Sequence, residues 1–145
     1  MKILVADDEP AIGLIVNRLL QQVGHEVVTA EDGQAAWELF QREPFQMVIT
    51  DLVMPGMDGL DLIRKIRSVS RGAYTYILIL TVLTDPKYVI TAHQAGADDY
   101  LTKPIDTLEL LARVKLGERF LHLEERLRET LRRAGAVGSL DEPSP

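Results

Sequence analysis

The chain has 145 residues, of which 46% are hydrophobic and 26% charged, with no cysteine, a net charge of −6 and a pI of about 5.0. That length suits one domain with a short appendage; the missing cysteines exclude a disulfide framework and thiolate metal sites and fit a reducing cytoplasm. The acidic balance gives no basis for direct nucleic-acid binding, no apolar run reaches the ~20 residues of a membrane span, and acids follow the first apolar run of "MKILVADDEP" directly, unlike a signal peptide.

Short apolar runs then alternate with helical patterns. "KILVA" (Lys2–Ala6) reads as a buried strand, and "AIGLIVNRLLQQV" (Ala11–Val23) as a helix that Gly24 stops. "EVVTA" (Glu26–Ala30) is a second strand and "GQAAWELFQRE" (Gly33–Glu43) a second helix. The continuous apolar run of "QMVIT" (Gln46–Thr50) makes a buried third strand, and "GLDLIRKIRSV" (Gly59–Val69) an amphipathic helix. "YILILT" (Tyr76–Thr81) is the fourth strand. "PKYVITAHQAG" (Pro86–Gly96) opens on proline and closes on glycine, as helices do. "DYLT" (Asp99–Thr102) is a short fifth strand, and a long helical pattern begins near Asp106. Trp37 and Phe40 lie at helical spacing and read as core or its rim; His25, His93 and His122 show no metal-ligand spacing.

Five strand–helix repeats imply an α/β fold: a doubly wound five-stranded parallel sheet with helices on both faces and an extended C-terminal helix. In such sheets ligands bind beyond the carboxyl ends of the strands. The residues found there are Asp7, Asp8 and Glu9 after the first strand, Asp51 after the third, Thr81 at the end of the fourth, and Lys103 after the fifth. Clustered carboxylates repel one another unless neutralised. A hard divalent cation such as Mg²⁺ answers that need. A cation, a lysine and a hydroxyl are also what a transferring phosphoryl group requires around its oxygens, and Asp51, alone at the end of the central strand, suits a nucleophile. Singly, each residue has a plainer reading. The first acids cap a helix, Lys103 is a solvated turn residue, and Tyr100 is packing.

"VADDEP", "TDLVMPGMDGLDLI" and "GADDYLTKP", in this order and spacing, resemble the receiver domain of two-component response regulators, over about Met1 to Arg119. The resemblance implies a (βα)₅ fold of the flavodoxin and CheY type. It further implies that Asp51 accepts a phosphoryl group from a histidine kinase or phosphotransfer protein. Asp8, Asp51 and the backbone carbonyl of Val53 would hold Mg²⁺ directly, with Asp7 reaching it through water. Thr81 and Lys103 would contact the phosphoryl oxygens, and Tyr100 matches the family's switch aromatic. Pro55, Gly56 and Gly59 shape the loop after Asp51, and Asp58 serves that turn or caps the next helix.

Three departures carry expectations. Val82 stands where the family usually has alanine or glycine and would narrow access for small phosphodonors. Val53 and Leu83 flank the site and are apolar, so neither orients an attacking water, and a long-lived phospho-aspartate is expected. An aspartyl phosphatase of the haloacid dehalogenase type also places Asp after a parallel strand, but it needs a second acid two residues on, where this chain has Val53. A phosphate-independent interaction module is the third reading, favoured only by Val82.

"ELLARVKLGERFLHLEERLRETLRRA" (Glu109–Ala134) continues the last helix past the usual end of a receiver. Leu116, Phe120, Leu123 and Leu127 are spaced four, three and four apart, a heptad seam. The expectation is a receiver over 1–119, a helical extension over 120–134 forming a short parallel coiled coil in a homodimer, and a small, polar, flexible tail over 135–145. The alternative is one long helix packed on its own domain. Asp98, Asp99, Glu109, Arg113 and Lys115 resemble charged positions that pair across a receiver dimer, while Val89 stands where a basic partner is expected. The chain reads either as a single-domain regulator or as the front of a longer one with a C-terminal output domain.

Overall fold

The computed structural model describes residues 1–69 and 72–135. In chain order these form β1 (Lys2–Ala6), α1 (Pro10–Gln22), β2 (Glu26–Ala30), α2 (Gly33–Arg42), β3 (Met47–Thr50), α3 (Gly59–Ser68), β4 (Tyr76–Thr81), α4 (Pro86–Ala95), β5 (Asp99–Thr102) and α5 (Thr107–Arg133). Every boundary falls within one residue of its expected place. The tail expected over 135–145 lies, apart from Gly135, outside the described residues.

The strands form one parallel sheet in the order β2-β1-β3-β4-β5. Alternation along each strand divides the core in two. Ile3, Val5, Ile49, Leu78 and Leu80 pack with Val16 and Leu20 of α1 and with Leu110 and Val114 of α5. Leu4, Ala6, Val48, Ile77 and Ile79 pack with Phe40 of α2, Leu62 and Ile66 of α3, and Ala92 of α4. A sheet buried on both faces explains why its strands read as unbroken apolar runs.

Local signals set the helix ends. Pro10 and Pro86 sit in the first turns of α1 and α4. Asp32, Asp58, Asp85 and Asp106 each accept a backbone N–H at the start of α2, α3, α4 and α5. Gly96 closes α4 with φ +117°, a left-handed conformation that suits glycine. α5 runs 27 residues without a break. Gly117 lets it lie close to the sheet, since a Cβ there would fall 2.5 Å from Met47 Cε and 2.8 Å from the Tyr76 ring.

Candidate functional site

Between β1 and β3 the chain reverses its direction of travel across the sheet, which opens a crevice at their carboxyl ends. The backbone ladder continues one residue past the strands into this crevice. Asp7 N–H donates to Ala30 O (3.1 Å), Asp51 N–H to Ala6 O (3.0 Å), and Lys103 N–H to Thr81 O (2.8 Å). Main-chain bonds therefore fix the two acids and the lysine at their roots.

Their side chains converge. Lys103 Nζ lies 2.8 Å from both Asp7 Oδ2 and Asp51 Oδ2, and 3.3 Å from Glu9 Oε1. Asp7 and Asp51 are buried at 4% and 5% exposure, whereas Asp8 is exposed. Carboxylate oxygens of Asp7, Asp8 and Asp51 all lie within 4.8 Å of one another. One ammonium stands among four carboxylates, those of Asp7, Asp8, Glu9 and Asp51, so the cluster keeps an excess of negative charge. A set of hard oxygen donors at this spacing fits a small divalent cation.

Burial pushes the Asp7 carboxyl above the usual carboxylate range, in spite of the hydrogen bond from Lys103. Burial opposes the charge on Lys103 too, but hydrogen bonds to Asp51 and Asp7 outweigh it and hold the ammonium well above the ordinary lysine range. Lys103 is a fixed positive charge at neutral pH. Asp51 Oδ1 accepts the N–H groups of Leu52 (2.6 Å) and Val53 (3.2 Å), which pins the carboxylate to the loop beyond it. That loop turns at Gly56 (φ +72°) and returns through Gly59, whose N–H donates to Leu52 O at 2.9 Å. A Cβ on Gly59 would lie 2.0 Å from Asp51 O, so no other residue fits. Asp58 caps α3 by accepting from Asp61 N–H at 2.9 Å.

The helix-cap reading of the first acids does not describe this site. Glu9 occupies the cap of α1 but makes no side-chain cap bond, and Asp7 Oδ1 accepts from Glu9 N–H at 2.9 Å. Thr81 is fully buried beside the cluster, and its Oγ1 accepts a long bond from Leu83 N–H (3.5 Å). Tyr100 is half-buried against the core and donates its hydroxyl to Leu83 O. Val53 and Val82 are exposed on the rim, while Leu83 packs inward.

The charged residues of the expected dimer face do not behave alike. Asp98 is turned inward and spent within its own chain. Its Oδ1 accepts from Tyr74 Oη (2.5 Å), and its Oδ2 from Arg67 (2.9 Å) and Ile77 N–H (2.8 Å). Three donors of its own chain thus meet the carboxylate that the sequence places among the charges of a dimer face. Arg113 reaches Asp99 (3.6 Å) and Glu109 (3.7 Å), and Lys115 reaches Glu118 (3.3 Å), all in exposed or half-exposed pairs. Along the seam, Leu116, Leu123 and Leu127 are at least half exposed. Phe120 is 42% exposed and also touches the rings of Tyr74 and Tyr76, at 5.3 and 5.6 Å between centroids. Leu121 also packs on the core, so the extension lies partly along its own domain.

Sequence reasoning passed over two residues. Arg67, at the end of α3, bonds Gly96 O, Thr75 O, Tyr74 and Asp98. Gly33 abuts the loop that leaves Asp51. Both act on segments distant in sequence, and neither belongs to a local pattern.

The family model described as response regulator receiver domain matches residues 3–115. The chain is 40% identical over 114 residues to the probable transcriptional regulator ycf27 of Porphyridium aerugineum, covering 79% of this chain and 46% of that one. It is 37% identical over 133 residues to the transcriptional regulatory protein TrcR of Mycobacterium tuberculosis, covering 91% of this chain and 51% of that one. The chain thus spans about half the length of these relatives. Among solved structures it is similar to the chemotaxis response regulator CheY4 of Vibrio cholerae, with a TM-score of 0.76 and 34% identity over 80% of this chain and 97% of that one. The BeF3-activated DrrB receiver domain aligns with a TM-score of 0.73 and 37% identity, over 81% of this chain and 97% of that one.

Proposed function

The chain belongs to the response regulator receiver family, and from that premise we propose that it is a phosphorylation switch with Asp51 as acceptor. The observation that carries this reading is the shared ammonium: Lys103 bridges Asp7 and Asp51 at 2.8 Å from each, at the crevice between β1 and β3. In the proposed reaction an Asp51 carboxylate oxygen attacks the phosphorus of a phosphohistidine on a sensor kinase or phosphotransfer protein. The P–N bond breaks, and its electron pair stays on the imidazole nitrogen. Lys103 exchanges its bond to the carboxylate for one to a phosphoryl oxygen, and Thr81 donates its hydroxyl to another. Asp7, Asp8, Asp51 and the Val53 carbonyl would hold Mg²⁺, which when bound neutralises charge on the phosphoryl oxygens. Tyr100 and Leu83 would then carry the movement of Thr81 to the outer face.

The test is the intact mass after incubation with acetyl phosphate and Mg²⁺, beside Asp51→Asn. One added phosphoryl group in the wild type alone is expected. A wild type and a Val82→Ala variant that both stay unmodified would leave a phosphate-independent module.

We also propose a homodimer formed by α4, β5 and α5, with 1–119 as the receiver and 120–134 as its helical extension. Leu108, Leu116, Leu123 and Leu127 of α5 and Ile90 of α4 are exposed apolar side chains, and Asp99, Glu109, Arg113 and Lys115 supply the polar surround. Phosphorylation would tighten this contact and so control an output domain or partner. Sedimentation of Leu123→Glu against wild type, each with and without phosphorylation, tests it. Equal masses in all four samples would dismiss the dimer.

A further inference from the structure

The start of α2 touches the loop that leaves Asp51. Gly33 is the first residue of α2, is buried, and comes directly after the cap residue Asp32. A Cβ at Gly33 would lie 2.1 Å from the carbonyl oxygen of Met57, 2.9 Å from its carbonyl carbon and 3.0 Å from its Cβ. The two closest are backbone atoms, so a change of rotamer cannot relieve the overlap. Gly13, a buried glycine within α1, has nothing within 4 Å of the same point. The close approach is therefore particular to Gly33.

Met57 belongs to the segment that joins Asp51 to α3. That segment is tied at its start by the Leu52 and Val53 amides on Asp51 Oδ1 (2.6 and 3.2 Å) and at its end by Gly59 N–H on Leu52 O (2.9 Å). Between these ties the outer turn leans on the first turn of α2. Any side chain at position 33 moves the Met57 carbonyl outward by about 1 Å to restore van der Waals contact. The displacement passes along a short chain of backbone bonds to Val53 and Asp51.

We infer that Gly33 is a positioning residue for the acceptor site, making α2 the outer stop that sets where the loop holds the Val53 carbonyl relative to Asp51. The inference rests on the metal reading of Asp7, Asp8 and Asp51. Groups that orient metal ligands typically change affinity by about 10- to 100-fold when altered.

The experiment tracks Mn²⁺ by the EPR signal of the free ion, with Mg²⁺ as competitor, well below the melting midpoint of each protein. Gly33→Ala should weaken Mn²⁺ by about tenfold, and Gly13→Ala should leave it unchanged. Asp32→Ala removes the capping bond to Ala35 N–H (2.7 Å) without adding volume. It loosens the same stop and should weaken Mn²⁺ by a smaller factor, so the idea stays testable if Gly33→Ala fails to fold. Wild-type affinity in both Gly33→Ala and Asp32→Ala, alongside lowered melting midpoints, would overturn the inference and leave only a packing role. A wild-type protein that binds no Mn²⁺, or an Asp8→Asn variant that binds it normally, would overturn the metal reading beneath it.

Discussion

Replacing Asp8 by asparagine should make the fold more stable and insensitive to magnesium. Asp8 places its carboxylate within 4.8 Å of those of Asp7 and Asp51. At that separation each like-charge pair costs about 0.9 kcal/mol even with the full dielectric of water. The substitution relieves two such repulsions and forfeits part of the attraction to Lys103, a net gain of about 1 kcal/mol. For a chain of this length that raises the melting midpoint by about 3–4 °C. The wild type, by contrast, should gain about 1.4 kcal/mol from Mg²⁺ at ten times its dissociation constant. Thermal unfolding in chelator and in Mg²⁺ gives four midpoints that check both halves. An asparagine variant that melts at or below wild type in chelator refutes the repulsion argument. One that rises with Mg²⁺ as far as wild type does removes Asp8 from the metal site.

Three further outcomes are expected from the geometry. Arg67→Met strips four hydrogen bonds from a guanidinium that is 23% exposed and leaves Asp98 without its cation, so urea unfolding should show a loss of about 3 kcal/mol; a loss below about 1 kcal/mol would deny Arg67 its role as a clamp. Burial and the hydrogen bond to Asp98 hold the Tyr74 hydroxyl above the ordinary tyrosine range, so the folded form keeps this proton longer than the unfolded chain does. The resulting stability is complete below about pH 10 and drains away as pH rises beyond it; Tyr74→Phe should flatten that alkaline decline, and an unchanged slope would contradict the assignment. Val53 is exposed at the rim, and Val53→Asn should shorten the life of the phosphorylated form about tenfold by orienting a water, read as the decay of the modified mass; an unchanged lifetime would mean that apolar flanks are not what slows hydrolysis.

The site residues were legible because parallel sheets put chemistry at strand ends, and strand ends can be read from local apolar runs. Asp7, Asp51 and Lys103 each stand directly after such a run, and the ladder bonds that root them are extensions of those same strands. Asp98 shows the limit of local pattern. It immediately precedes a strand and looks like a surface charge, and it bonds Arg67, 31 residues away, and Tyr74. Nothing local announces such a contact. Phe120 is a second case: its spacing fits a heptad seam and it is 42% exposed, while its ring also meets Tyr74 and Tyr76 of its own domain. Periodicity reports which side of a helix is apolar and is silent on which surface will cover it.

The unbroken course of α5 has a mechanical consequence. At Gly117 the helix lies against Met47 and Tyr76, Leu121 is its last residue packed on the core, and the helix continues unbroken to Arg133. The twelve residues that follow Leu121, ending at Arg133, reach about 18 Å as α-helix. The arm is stiff and its fulcrum lies at the base of the domain. A rotation of about 10° about Leu121 would sweep the far end through about 3 Å. A small change of slope where the helix meets the sheet is therefore magnified at Arg133.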